Sequence, residues 1–301
     1  GPKFSWYVRS AGHNTVVIDG KDQVAGNGET TLWADGKEFH AIRASAPALV
    51  AAPQYERTVA LVDLSPEACY LLDLCRVVGG NDHAWFLHSH FGDLTTTGLN
   101  LAPAADYGHD TQMRHFRGDF EATPGWVADW KVNDRDGHGP SGQETHLRYT
   151  GLTRGAQVYT AEAWVCPGGF QTNEEAWIPR LLVRRQAAQA PLRSAFVGIL
   201  EPYGTRPAVA SARRLALHTP AGAAYPDNHA AVEVRLVDGR RDLLVAADVE
   251  NPLGLRPALR EAGLLVQREW GLRTDAELCL VRRNQAGAIE RVVLCRGKEL
   301  T

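Results

Sequence analysis

The 301-residue chain reads as an all-β protein, a large antiparallel β-sandwich in two or three layers with few or no long helices. Three observations predict this. Short runs of β-branched, aliphatic and aromatic residues recur at roughly ten-residue spacing through the first hundred positions, the mark of a sandwich rather than of strand–helix–strand units. Turn signals such as Asp19-Gly20, Asp238-Gly239 and Asn284-Gln285-Ala286-Gly287 punctuate the runs. Sustained helical periodicity is scarce, and only Asn251 to Glu261 permits a short turn or helix.

Taken in order, Lys3 to Arg9 alternates weakly and reads as an edge strand or lid segment. Thr15 to Ile18 is a β-branched strand that runs into the Asp19-Gly20 hairpin turn, so His13 and Asn14 stand at its start, on a sheet edge or the lip of a cleft. Thr30 to Trp33 and His40 to Ala44 follow. Gln54 to Asp63 and Tyr70 to Val78 form the clearest strand pair, and Ala84 to His90 comes directly after. From about residue 98 to 145 the pattern thins and a long polar loop, Asn133 to Gly142, is expected between strands at Trp126 to Val132 and Glu144 to Thr150. Strands resume at Ala156 to Cys166, Leu181 to Arg185 and Ala195 to Leu200. The remainder reads as Arg214 to His218, Ala231 to Val237, Leu243 to Asp248, Leu264 to Trp270, Glu277 to Arg283 and Ile289 to Cys295. Residues 1–301 are treated as one sandwich. Ala187 to Pro191 is the most linker-like stretch and marks a sub-boundary near 187–192, better read as a loop between consecutive strands.

Composition narrows the function classes. A hydrophobic fraction of 44% and a charged fraction of 22% belong to an ordinary globular protein able to bury a large core. With 32 Lys+Arg against 35 Asp+Glu the net charge is -3, which argues against a nucleic-acid partner. No apolar run approaches membrane-spanning length, so no membrane partner is expected. Gly1-Pro2-Lys3-Phe4 has no apolar leader core, and localisation cannot be read from it. Cys69, Cys75, Cys166, Cys279 and Cys295 lack the close spacing of a zinc knuckle or redox motif and are expected as free thiols, mostly buried, although an exported parent would leave a disulfide open.

Two blocks carry a family resemblance. His13-Asn14-Thr15-Val16-Val17-Ile18-Asp19-Gly20 resembles a signature of the heparinase II/III-like polysaccharide lyases, in their C-terminal β-sheet domain. Tyr55-Glu56-Arg57, then Asp73-Leu74-Cys75-Arg76-Val77-Val78-Gly79-Gly80 with His83 beyond, resembles a second. Looser matches lie at Phe196 to Tyr203 and near Leu280 and Val292. The resemblance implies β-elimination on a uronate-containing acidic polysaccharide such as a glycosaminoglycan or alginate, with a base, an acid and enolate-stabilising groups. It also implies an N-terminal α/α toroid that carries most of that machinery, a Zn2+ site completed by His13, and a bacterial periplasmic or cytoplasmic setting. A homodimer stays open. Zinc needs three or four N, O or S ligands, and the residues before His13 contain neither His nor Asp, so the chain alone is expected to be inactive as a lyase.

Other residues support the reading less directly. His83, His88 and His90 are an alternative metal cluster: the last two share a strand face by spacing, while His83 has opposite parity. His109, His115 and His138 read as solvated. Asn14 beside Arg9, Arg43, Arg57 and Arg76 could form a cationic, hydrogen-bonding wall for an acidic sugar chain, each arginine being equally compatible with an ordinary structural ion pair. The tryptophans could stack on sugar rings, though most suit core packing. A carbohydrate-binding or purely structural sandwich without catalysis is the alternative function, separated from the first by whether His13 holds zinc or is hydrogen-bonded into the sheet.

Overall fold

A computed structural model describes residues 2–135, 137, 142–167, 174–249 and 264–301. A short helix, α1 (Pro2–Tyr7), precedes a three-residue 3-10 turn, Ser10–Gly12. The strands that follow are β1 (Val16–Ile18), β2 (Glu29–Asp35), β3 (Phe39–Ser45), β4 (Gln54–Ser65), β5 (Ala68–Gly79), β6 (Asp82–His88) and β7 (Gly92–Thr97). Next come β8 (Ala102–Pro103), β9 (Met113–Asp119), β10 (Trp126–Val132), β11 (His146–Gly151), β12 (Gln157–Val165), β13 (Ala176–Gln186) and β14 (Leu192–Tyr203). The last third adds β15 (Val209–Leu215), β16 (Ala230–Leu236), β17 (Arg241–Ala246), β18 (Leu265–Gln267), β19 (Leu272–Thr274), β20 (Leu278–Arg283) and β21 (Ile289–Cys295).

These strands make three stacked antiparallel sheets and a two-stranded ribbon, β18-β19. Sheet I has the order β1-β6-β13-β12-β9-β8, sheet II β2-β3-β4-β5-β14-β11-β10-β7, and sheet III β15-β16-β17-β20-β21. Alternation along the strands of sheet II feeds two separate cores, one on each face. Trp85, Leu87, Leu181 and Val183 of sheet I meet Val77, Phe196, Trp130 and Tyr149 of sheet II. On the other side of sheet II, Leu72, Leu74, Val197 and Ile199 meet Val232, Val234, Leu244 and Leu280 of sheet III. Each such side chain contributes about 1.5–3 kcal/mol when fully buried. Sheet II is therefore covered on both faces at its centre. Its rim is not: Trp33 is 70% exposed where β2 extends past sheet I.

The three-layer sandwich agrees with the sequence reading, and several elements differ from it. Lys3 to Arg9 is mostly helix rather than an edge strand, because Trp6 is buried in the outer core of sheet I with its Nε1 donating to Trp164 O at 3.1 Å. Tertiary anchoring overrides a weak alternation. The Asp19-Gly20 turn forms, with both residues at positive φ (50° and 67°), as a type I′ turn demands. It is closed only by the Ile18–Lys21 bridge, while β1 pairs with β6 instead. The thin region holds β8 and β9. Residues 187–191 carry the chain from β13 in sheet I to β14 in sheet II. Parts of the polar loop (136, 138–141) and the short helix expected at Asn251 to Glu261 lie outside the described residues. All five cysteines are free thiols.

Candidate functional site

The His13 turn sits against the outer face of sheet I. Asn14 extends the β1–β6 ladder with its side chain: Oδ1 accepts from His88 N at 2.8 Å and Nδ2 donates to His88 O at 3.1 Å. These two bonds fix the carboxamide on the β6 backbone. Arg57 lies under the same turn, donating to Asn14 O at 2.9 Å and forking onto both oxygens of Asp73 at 2.7 and 2.8 Å. Arg9 pairs with Asp22 at 2.7 Å, and Asp22 also accepts from Ser10 N. Tyr55 completes the support. Its hydroxyl donates to Val16 O at 2.6 Å and accepts from Gln23, and burial pushes its pKa up to about 12.

The residue that sequence reasoning missed is Arg180 on β13. Its guanidinium is 2% exposed and donates to the carbonyls of Ala11, Gly12 (3.2 Å) and His13 (2.9 Å). Among the described residues no carboxylate pairs with it. Burial lowers its pKa to about 9, which leaves it cationic at neutral pH. A basic residue at an outward-facing register position, just before the apolar Leu181-Leu182-Val183 run, was the signal available.

His13 itself is exposed, and its Nε2 donates to Tyr7 O at 2.9 Å. His88 stands opposite Arg180 in the β6–β13 register, with His13 close enough to affect its charge. Burial first, then Arg180, lowers the His88 pKa to about 4. Its Nδ1 lies 2.9 Å from Ser89 O, so in the neutral ring Nδ1 carries the proton and Nε2 keeps a lone pair. The rim thus presents two imidazoles over a turn held by a buried guanidinium.

Three expectations are corrected by this geometry. Arg76 is 1% exposed between sheets II and III, where Glu56 accepts from Nη1 at 2.6 Å and the carbonyls of Asn228 and Ala246 take its other donors. No substrate carboxylate reaches it there. Arg43, likewise 2% exposed, bonds Glu277 at 2.7 Å across the same seam. The set His83, His88 and His90 does not converge. His83 faces the inner core, fully buried, with Nδ1 2.8 Å from Ser194 Oγ and Nε2 2.7 Å from Gly79 O. His88 faces outward, and His90 lies beyond the end of β6, where strand parity no longer applies.

The donors near His13, among the described residues, do not make up a zinc site on their own. Among the described residues no three His, Cys, Asp or Glu side chains are grouped to hold a metal ion. The carboxylates nearest the turn, Asp73 and Asp22, are paired with Arg57 and Arg9.

No family model matches the chain, and no curated protein matches it in sequence. Solved structures do. The heparan sulfate lyase HepC mutant from Pedobacter heparinus is similar over 80% of this chain and 31% of its own, with 15% identity and a TM-score of 0.51. A heparinase III structure is similar over 78% of this chain and 30% of its own, at 11% identity and a TM-score of 0.49. The fold is that of a heparinase-like β-sandwich. The chain spans less than a third of the length of these structures.

Proposed function

We propose that this chain is the β-sheet part of a polysaccharide lyase acting on uronate-containing acidic chains, with the His13 rim walling the substrate cleft. One observation carries the reading. The His13-Asn14-Thr15 segment, which bears the family resemblance, is held at the end of sheet I with the His13 ring in solvent and its backbone fixed by Arg180, Arg57 and the Asn14 clamp. Such immobilisation is what a residue facing a substrate requires. The shared fold with an enzyme named for heparan sulfate cleavage supports the substrate class.

In β-elimination a base takes the proton α to the uronate carboxylate, and the 4-linked oxygen leaves with acid assistance. His88, neutral near pH 7 with its Nε2 lone pair, stands beside His13 at the cleft wall as a proton acceptor. The remaining base, acid and carboxylate-neutralising groups are assigned to an α/α toroid in the parent. Zinc at His13 belongs to the same proposal and would draw its further ligands from that portion.

The test is binding and turnover by the purified chain. Heparan sulfate or alginate should be retained over neutral dextran, and His13→Ala should weaken retention several-fold. Unsaturated uronate released by the chain alone, or equal binding of dextran, would overturn the reading.

A further inference from the structure

A second feature lies on the inner face of sheet I at the same end of its strands. There a groove of about 500 Å³ opens between β7 of sheet II and strands β9, β12 and β13. Trp177, Pro179, Leu94 and Leu101 supply apolar surface, and Asp93, Thr96, His115, Arg117, Thr160 and Glu162 supply polar groups. That size and mixture suit a ligand of a few sugar rings.

The backbone is distorted to build one wall. The β9–β12 register slips between Thr160 and Glu162, and His115 is held there at φ 56°, a left-handed conformation rarely adopted by a non-glycine residue. Consecutive strand residues ordinarily point to opposite faces. Here the bulge turns Arg114 and His115 onto the same Glu162 oxygen, at 2.8 and 3.2 Å. Arg114 also lies 3.8 Å from the centre of the Trp177 ring. Indole, guanidinium, carboxylate and imidazole are thereby ordered in one row. Strain of this kind persists where the surroundings enforce it, and it clusters at ligand sites.

Two charged groups in the groove have no ion pair among the described residues: Asp93, and Arg117, whose Nη2 donates to Leu101 O. We infer that this groove is a second saccharide-binding site for a short acidic oligosaccharide, with a ring packed on Trp177 and Pro179 and its carboxylate on Arg117. Glu162, His115 and Asp93 then serve the hydroxyls. Guanidinium and carboxylate groups match vicinal oxygens in pairs, and indole accepts the apolar face of a sugar ring. The acidic character of the ligand rests on the function proposed above. Because Glu162 pairs with Pro179, and Arg180 with His88, the groove lies one register step from the His13 rim, on the opposite face of the sheet.

Titration calorimetry of the purified chain with a glucuronate-containing tetrasaccharide, and with a neutral tetrasaccharide as control, tests this. Trp177→Ala should weaken the acidic ligand about tenfold, equivalent to about 1.4 kcal/mol. Arg117→Gln, at an exposed position, should weaken the acidic ligand about fivefold and the neutral one less. If wild type binds and both variants match it while His13→Ala loses affinity, the groove is overturned and the cleft reading stands. If wild type ignores the acidic ligand, both fall.

Discussion

Arg76 and Arg180 are both almost fully buried, yet they occupy opposite kinds of place. Arg76 lies in the seam between sheets II and III with Glu56 as its carboxylate and two backbone carbonyls filling its remaining donors. Arg180 lies under the sheet I rim with carbonyls alone. The seam continues the same way: Tyr70 and Arg282 converge on Asp242 at 2.6 to 2.8 Å, and Gln54 bonds Asp248. The guanidinium charges of Arg76 and Arg282 there are matched by Glu56 and Asp242. At the rim a cation is used to hold a turn, and the histidines above it keep nitrogens open. The seam completes Arg76 with a carboxylate, while the rim completes Arg180 with the carbonyls of the histidine-bearing turn.

Breaking the seam should have the largest effect. Arg76→Met leaves Glu56 buried with only the distant Arg43, 3.9 Å away, and should cost about 3–5 kcal/mol in urea unfolding. A loss below about 1 kcal/mol would mean the pair contributes little. Arg180→Met should cost less, about 1–3 kcal/mol, since it strands carbonyls without stranding a charge. Its diagnostic readout is the His13 ring resonance by NMR, which should move in Arg180→Met and stay put in Arg76→Met. The reverse pattern would dissolve the distinction drawn here.

The smallest effect concerns pH. Burial lowers the His83 pKa to about 4. The unfolded chain, at about 6.5, takes up a proton that the folded chain refuses, so stability is full above pH 7 and falls as pH drops from 6.5 toward 4. His83→Asn should remove about 1 kcal/mol of the stability difference between pH 7 and 5.5. An unchanged slope would show that His83 ionises in the folded state.

Much of this architecture is legible in the sequence because alternation is strong wherever both cores are fed. Gln54 to Asp63 reads as a strand from its β-type residues, although its buried even-numbered positions include the polar Gln54, Glu56 and Thr58. Trp126 to Val132 matches its strand end to end. β9 was illegible for the opposite reason: its bulge destroys the period on which recognition depends. For the site, the sequence offered Arg57 and Asn14 as substrate contacts, whereas the structure shows Arg57 bonding Asn14 O beneath the His13 turn, a contact no sequence pattern announces. Arg76 misled because an arginine in a strand does not disclose which face it occupies or which carboxylate meets it across another sheet. Arg180 was overlooked because its partners are carbonyls more than 160 residues away, which have no signature in sequence.

The pairing of β5 with β14 places Leu72 opposite Ile199. During synthesis, the Leu-Leu-Asp-Leu-Cys-Arg-Val-Val edge of β5 therefore waits unpaired until residues near 203 have emerged. Such an edge is an adhesive template for other chains, and distant pairings of this kind form slowly. The order of translation makes the middle of sheet II the last part of that sheet to close, a moment of exposure to aggregation.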